Sequence, residues 1–151
     1  MLFQRVSRTN PEKIFLVAYN SYATASLSNG QAVIWDFPTD VDGVSVTRPS
    51  ARATNAGMAA AGVAAETIAS GAYGLIQAYG YHSAVRVRTV TGGTPAIAAG
   101  RPLVLNVAGS VFCLESVATA STSVLTFPCG FAYAAQASFT TKAVAAHIKA
   151  L

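Results

Sequence analysis

The segment from residue 57 to residue 87 constrains the fold of this chain more than any other part of its sequence. It holds two apolar runs of strand type on either side of a turn at 66–71, with Gly74 and Gly80 set among tyrosines. Alanines in residues 58–65 could suggest a helix, but each glycine there lowers helix propensity by about 1 kcal/mol. The segment therefore predicts a tightly packed β-hairpin. It contains no nucleophile beside a base, no cluster of metal ligands and no phosphate-binding loop.

Runs of strand length recur along the rest of the chain. They lie at residues 14–19, 31–37, 44–47, 81–90, 101–107, 110–115 and 130–137, and turn residues such as Asn29 and Gly30 separate them. In the fourth run Val85 and Val87 fall on one face, with arginines opposite. Regular spacing of strands and turns predicts an all-β fold. We expect one β-sandwich or barrel domain at residues 14–151, preceded by an extended N-terminal arm at residues 1–13.

The last twelve residues fit two patterns. Val144, Ile148 and Leu151 recur at helical spacing, whereas Val144, Ala146 and Ile148 share one face of a strand. We favour the strand, with the helix as the open alternative.

The composition is unusually poor in charge. Hydrophobic residues make up 52% of the 151 residues and charged residues only 11%, whereas an ordinary domain carries roughly 25% charged residues. No window approaches the roughly 18 apolar residues of a membrane-spanning helix. Residues 1–13 lack the apolar stretch of a secretory signal. We therefore expect a cytosolic chain, with no membrane partner, that buries surface in a homo-oligomer, either a trimer or a dimer.

The net charge of +4 raises the question of nucleic-acid binding. The ten basic residues are scattered along the chain, and no cluster alternates them with aromatic residues. We expect no nucleic-acid partner. A mildly basic protein that docks on an acidic protein surface accounts for the sign of the charge.

Few residues could carry chemistry. Asp36, Asp40 and Asp42 form the only acidic cluster, and they lack the ligand spacing of a calcium loop. We interpret them as turn carboxylates that accept hydrogen bonds from backbone N–H groups. His82 and His147 are interpreted as packed or solvated side chains. The sequence predicts no catalytic residue, no metal, no cofactor and no enzymatic activity.

Cys113 and Cys129 are the two cysteines. Their spacing suits neither a zinc site nor a redox pair. In a reducing compartment we expect two unbridged thiols rather than a disulfide, with Cys113 acting as a small buried apolar residue.

The tyrosines of the hairpin are the best candidates for a functional surface. Tyr73, Tyr79 and Tyr81 have the spacing of one strand face, and tyrosine suits sheet cores and subunit interfaces. A carbohydrate-binding aromatic strip is the alternative. Arg5 and Arg8, in the arm, complete the candidate interface because they could meet acidic groups on a partner.

The segment 62–80, which reads GVAAETIASGAYGLIQAYG, and the later stretch AAGRPL at 98–103 carry a resemblance. Over roughly residues 56–137 the chain resembles the capsid decoration, or cement, proteins of tailed bacteriophages. The resemblance implies a virion structural protein, made in the host cytoplasm, that binds the outside of the major capsid shell and stabilises it against internal pressure. The alternatives are a tail, neck or head-fibre protein, or a β module that binds carbohydrate or a host surface.

Overall fold

A computed structural model describes residues 12–37, 39–49, 59–89, 97–106, 111–114, 129–135 and 140–150. These residues contain no α-helix. They form strands β1 (Ile14–Asn20), β2 (Ala32–Trp35), β3 (Ser45–Thr47), β4 (Ala60–Ala64), β5 (Tyr73–Thr89), β6 (Pro102–Asn106), β7 (Val111–Leu114), β8 (Gly130–Ala132) and β9 (Lys142–Lys149). The prediction of an all-β domain is confirmed.

The long strand β5 organises the whole fold. Its first half pairs with β1 on one side and β4 on the other, so that the order β1-β3-β2-β4-β5 closes on itself as a five-stranded barrel. Its second half pairs with β9 and, at the end, with β7. The order β5-β7-β6-β8-β9 therefore also returns to β5, which makes a second circuit of hydrogen-bonded strands that shares β5 with the first barrel.

An irregularity in the middle of β5 exchanges its two faces. Ile76 and Ala78 are buried upstream, and the pairing with β9 shifts register between His82 and Val85. Downstream, Val85 and Val87 are buried. The predicted face of Val85 and Val87 is therefore confirmed. One extra residue in β5, between His82 and Val85, lets the strand turn odd-numbered side chains outward in its first half and inward in its second.

Two apolar cores follow from the two circuits. The first barrel encloses a cluster made of Ala18, Leu27, Val33, Val46, Ala61, Ala64, Ile68 and Ile76. The second cluster contains Val85, Val87, Ile97, Leu103, Leu105, Cys129, Ala132, Val144, Ala146 and Ile148, joined by Ala32, Ile34 and Val63. Strands β2 and β4 contribute to both clusters, so both of their faces are buried. This sharing packs the second circuit onto the outside of the first barrel.

Two sequence-based interpretations of chain conformation are confirmed. Residues 60–64 form β4 rather than a helix, and residues 142–149 form β9 with Val144, Ala146 and Ile148 buried. The run at 31–37 is shorter than predicted, because β2 ends at Trp35. There the Asp36 carbonyl accepts hydrogen bonds from the N–H groups of Thr39 and Asp40, which turns the chain away from the sheet.

The predicted close packing at Gly74 and Gly80 is also confirmed. A Cβ atom at Gly74 would lie 2.5 Å from Cγ1 of the buried Ile68. Gly80 has a φ of +100°, and a Cβ atom there would overlap the carbonyl oxygen of Glu12. The chain just before β1 therefore lies against β5 at a position where only glycine fits.

Candidate functional site

The outward face of β1 and the first half of β5 carries large apolar side chains. Val17 lies directly opposite Leu75, and Tyr19 lies opposite Tyr73 with ring centroids 5.2 Å apart. Val17 and Tyr73 are each 66% exposed, and Phe15 and Leu75 are also exposed. These side chains stand on the solvent side because the small residues between them, such as Ala18 and Gly74, face the barrel interior.

The same outward face continues as an aromatic cluster where β5 meets β9 and β8. The Tyr79 ring contacts the His147 ring edge to face, with ring centroids 5.0 Å apart. The Phe131 ring stacks on the His147 ring, with centroids 5.0 Å apart and an interplanar angle of 6°. Tyr133 contacts Tyr81 at 5.6 Å and Phe131 at 5.3 Å. The Tyr133 hydroxyl lies 3.3 Å from Nδ1 of His147. Such edge-to-face and stacked pairs stabilise an aromatic surface while leaving ring area exposed to a partner.

We call this surface, which the buried Gln77 interrupts between Leu75 and Tyr79, the β5 strip. It consists of Phe15, Val17, Tyr19, Tyr73, Leu75, Tyr79, Tyr81, Phe131, Tyr133 and His147. An extended strand rises about 3.3 Å per residue, so the strip runs about 26 Å from Tyr73 to Tyr81. It is two strands wide at one end and three at the other, which gives a projected area of about 300 Å². The largest apolar patch on a typical monomer covers about 300–600 Å² and is often functional, so the strip is a candidate contact surface.

Basic side chains lie beside the β5 strip. The Lys13 ammonium lies 6.0 Å from the centroid of the Tyr81 ring, and Lys149 occupies the position on β9 opposite Tyr79. Glu66 adds one carboxylate beside the strip, since it accepts the backbone N–H of Leu75 at 3.0 Å. The described surface therefore combines an apolar centre with two basic side chains and one acidic side chain at its edge, and this excess of positive charge suits an acidic protein partner.

An apolar pocket of about 220 Å³ adjoins the strip at its β8 end. It is lined by Gly100, Pro102, Gly130, Phe131 and Lys149. Phe131 belongs both to this pocket and to the strip. A pocket beside an exposed aromatic surface is where a partner's anchoring side chain gains the most from burial.

The structure brings together only part of the predicted interface. Tyr73, Tyr79 and Tyr81 share the outward face of β5, as their spacing predicted, and they are surface residues rather than sheet core. Arg5 and Arg8 lie outside the described residues, so their place in an interface stays a prediction.

Seven members of the strip were not predicted from the sequence, and three of them, Phe131, Tyr133 and His147, come from β8, β9 and the residues just after β8. Phe131 and Tyr133 alternate with the buried Ala132, and His147 lies between the buried Ala146 and Ile148. Period-two alternation therefore placed all three on an outward face. What it could not indicate was that β8 and β9 would carry them next to the hairpin tyrosines.

The prediction that carboxylates of the acidic turn cap backbone groups is confirmed for Asp40. The Asp40 carboxylate accepts N–H groups from Asp42 at 3.1 Å, Val44 at 3.1 Å and Ser45 at 2.5 Å. Hydrogen bonding, led by that from Ser45, lowers the pKa of Asp40. The Asp36 carboxylate accepts the Ser21 hydroxyl at 2.7 Å. These carboxylates thus stabilise the turn between β2 and β3. Across the described ranges, no three His, Cys, Asp or Glu side chains lie together as metal ligands would.

Two of the remaining candidate residues, Cys129 and His82, are buried. Cys129 is an unbridged thiol, as predicted, and burial raises its pKa to about 11. The Cys113 side chain lies outside what the structure describes. His82 is packed, as predicted, and only 7% exposed. His147, on the adjacent strand β9, is half-buried and pairs with Tyr81. A thiol with so high a pKa is almost wholly protonated at neutral pH, so Cys129 is a poor nucleophile.

No protein-family model matches this chain, and no curated protein matches it in sequence. In the part of the chain that the structure describes, there is no helix long and apolar enough to cross a membrane.

Proposed function

We propose that this protein is a virion structural protein of the capsid decoration type, which binds the outside of a major capsid shell and stabilises it against internal pressure. In this role it is made in the host cytoplasm, carries no cofactor and catalyses no reaction. The resemblance at 62–80 and 98–103 suggests the class. The observation that carries the proposal is the β5 strip, a rigid apolar surface built on hydrogen-bonded strands.

The size of the strip bears on how such binding would work. A stable one-to-one protein interface buries about 800 Å² on each partner. The strip offers about 300 Å², so one copy by itself would bind weakly. An oligomer whose copies each contact a neighbouring shell subunit gains avidity without any new contact. The proposal therefore includes a homo-trimer or homo-dimer, with the major capsid protein as the other partner and Arg5 and Arg8 as further contacts to acidic groups.

Shell binding provides the direct test. The strip residue Val17 and the turn residue Val41 are both exposed valines, but Val41, at 96% exposure, lies outside the strip. We expect Val17→Asp to reduce occupancy on undecorated shells at least about tenfold, because it buries an unpaired carboxylate in the contact. Val41→Asp is the matched control and should leave occupancy unchanged. Quantitative mass spectrometry of purified particles measures the copies bound.

Shells that bind no wild-type protein, or that lose it equally with both variants, would contradict the proposal. Copy number separates the structural alternatives, because a decoration protein is present in hundreds of copies per particle and a tail, neck or head-fibre protein in few. The carbohydrate- or host-surface-binding alternative predicts signal on a glycan array that is lost when Tyr81 is replaced.

The oligomer has its own measurement. With 11% charged residues and an exposed apolar strip, the isolated chain should associate as a compact trimer or dimer at micromolar concentration. Light scattering coupled to gel filtration gives the mass directly. A monodisperse monomer under these conditions would contradict this part of the proposal.

A further inference from the structure

A polar pocket of about 220 Å³ lies next to the β5 strip and differs from it in character. Its lining consists of Lys13, Phe15, Asn29, Ala65, Gln77, His82 and Ser83. Phe15 belongs to both surfaces. A protein that covers the strip would therefore also cover this pocket.

Two buried polar side chains form part of the pocket wall. Gln77 is only 2% exposed, and its amide donates to the carbonyls of Tyr79 at 3.2 Å and Tyr81 at 3.1 Å, which fixes its position. His82 is 93% buried, and its Nδ1 accepts the backbone N–H of Ala84 at 3.1 Å. The neutral imidazole must then carry its proton on Nε2.

The Nε2–H group of His82 finds no acceptor among the described residues. A buried donor without an acceptor costs about 1–3 kcal/mol, so native proteins nearly always supply a partner, whether protein, water or ligand. Lys13 and Ser83 add an ammonium and a hydroxyl to the same pocket. The pocket thus collects hydrogen-bond donors.

The charge of the pocket has one sign. Burial lowers the pKa of His82, and the positive charge of Lys13 lowers it further. The pocket lining contains no carboxylate, and Lys13 makes no ion pair within the described ranges. The positive charge of Lys13, with the Nε2–H group of His82 and the Ser83 hydroxyl as donors, attracts a small anion.

We propose that this pocket binds a carboxylate, supplied by an acidic side chain of the partner protein that covers the β5 strip; the identity of that partner rests on the proposed function. One ammonium matches the single charge of a carboxylate. A phosphate dianion is typically held by more positive charge, often by arginine forks, and no arginine lines the pocket. The charged group that faces His82 from the chain before β1 is Lys13; Asn29, Gln77 and Ser83 face the pocket as neutral groups.

Acetate tests the pocket on the isolated protein. In NMR titrations at tens of millimolar acetate, the His82 ring should shift and its pKa should rise, because a bound carboxylate favours the imidazolium. His147, which does not line the pocket, is the internal control and should not shift. Lys13→Gln should weaken acetate binding at least about fivefold. Lys142→Gln removes a positive charge at the start of β9, away from the pocket, and should leave acetate binding unchanged. No acetate-dependent shift at His82 overturns the inference.

Shell binding then tests the source of the carboxylate. Lys13→Gln, an exposed substitution that leaves the core intact, should reduce shell occupancy, with Lys142→Gln as the matched control. If acetate binds but the Lys13→Gln variant occupies shells as fully as the wild-type protein does, a partner side chain is not the ligand, while the proposed function stands. If acetate binds and the wild type does not occupy shells at all, the proposed function fails, and the pocket is a site for free carboxylates.

Discussion

Replacing Gly80 by alanine tests one of the close backbone contacts in the fold. Gly80 has a φ of +100°, and an added Cβ atom would overlap the carbonyl oxygen of Glu12, a backbone atom that no rotamer change can move. An L-residue with positive φ costs about 1–2 kcal/mol. Overpacking against the chain just before β1 adds about 1–3 kcal/mol. We therefore expect Gly80→Ala to lower the free energy of unfolding by about 2–5 kcal/mol.

Gly43 provides the matched control for this substitution. Its φ is +70°, but nothing lies within 4 Å of an added Cβ atom. Gly43→Ala should therefore cost only the free energy of placing an L-residue at positive φ, about 1–2 kcal/mol. Urea unfolding measures both variants, and the midpoints can be compared as stabilities if the slopes agree.

A shortened chain identifies the contact responsible. A chain that starts at Ile14 lacks the Glu12 carbonyl and the Lys13 backbone that face Gly80. In that background Gly80→Ala and Gly43→Ala should cost about the same. Equal costs already in the full chain would refute the argument that the segment just before β1, rather than φ, makes Gly80 necessary.

Two further predictions concern the core. Gly74→Ala should destabilise the protein by about 1–3 kcal/mol, because the new methyl group overlaps Cγ1 and Cδ1 of Ile68, at 2.5 Å and 2.7 Å. This cost should largely disappear in an Ile68→Ala background. If urea unfolding shows that the losses of the two substitutions simply add, the contact does not cause the cost. The pKa of Cys129, about 11 in the folded protein, exceeds that of an unfolded cysteine. Its burial therefore stabilises the fold fully below about pH 8.5, and this contribution of up to about 3 kcal/mol is lost as the pH rises towards 11. Stability should fall less steeply over that range in Cys129→Ala than in the wild type, and parallel curves would show that the thiol remains accessible to ionisation.

Local physics determined much of what could be read from the sequence. Strand character at 60–64 follows from glycines that oppose a helix, and the buried face of β9 follows from period-two alternation around Ala146. The outward position of Tyr73, Tyr79 and Tyr81 has the same origin, because alternate side chains of a strand share a face. These features depend on near neighbours in the chain, which a single sequence displays directly.

Tertiary structure alone decided which faces meet. Alternation puts Tyr81 and Tyr133 on outward faces, but the pairing of β5 with β9 and of β9 with β8 brings their rings within 5.6 Å. The polar pocket likewise needs the chain before β1 to lie against β5, so that Lys13 lies near His82. Strand order, the closure of both circuits through β5 and the register shift after His82 are set by long-range packing. A residue pattern states which side of a strand is buried, but not which strand will lie beside it.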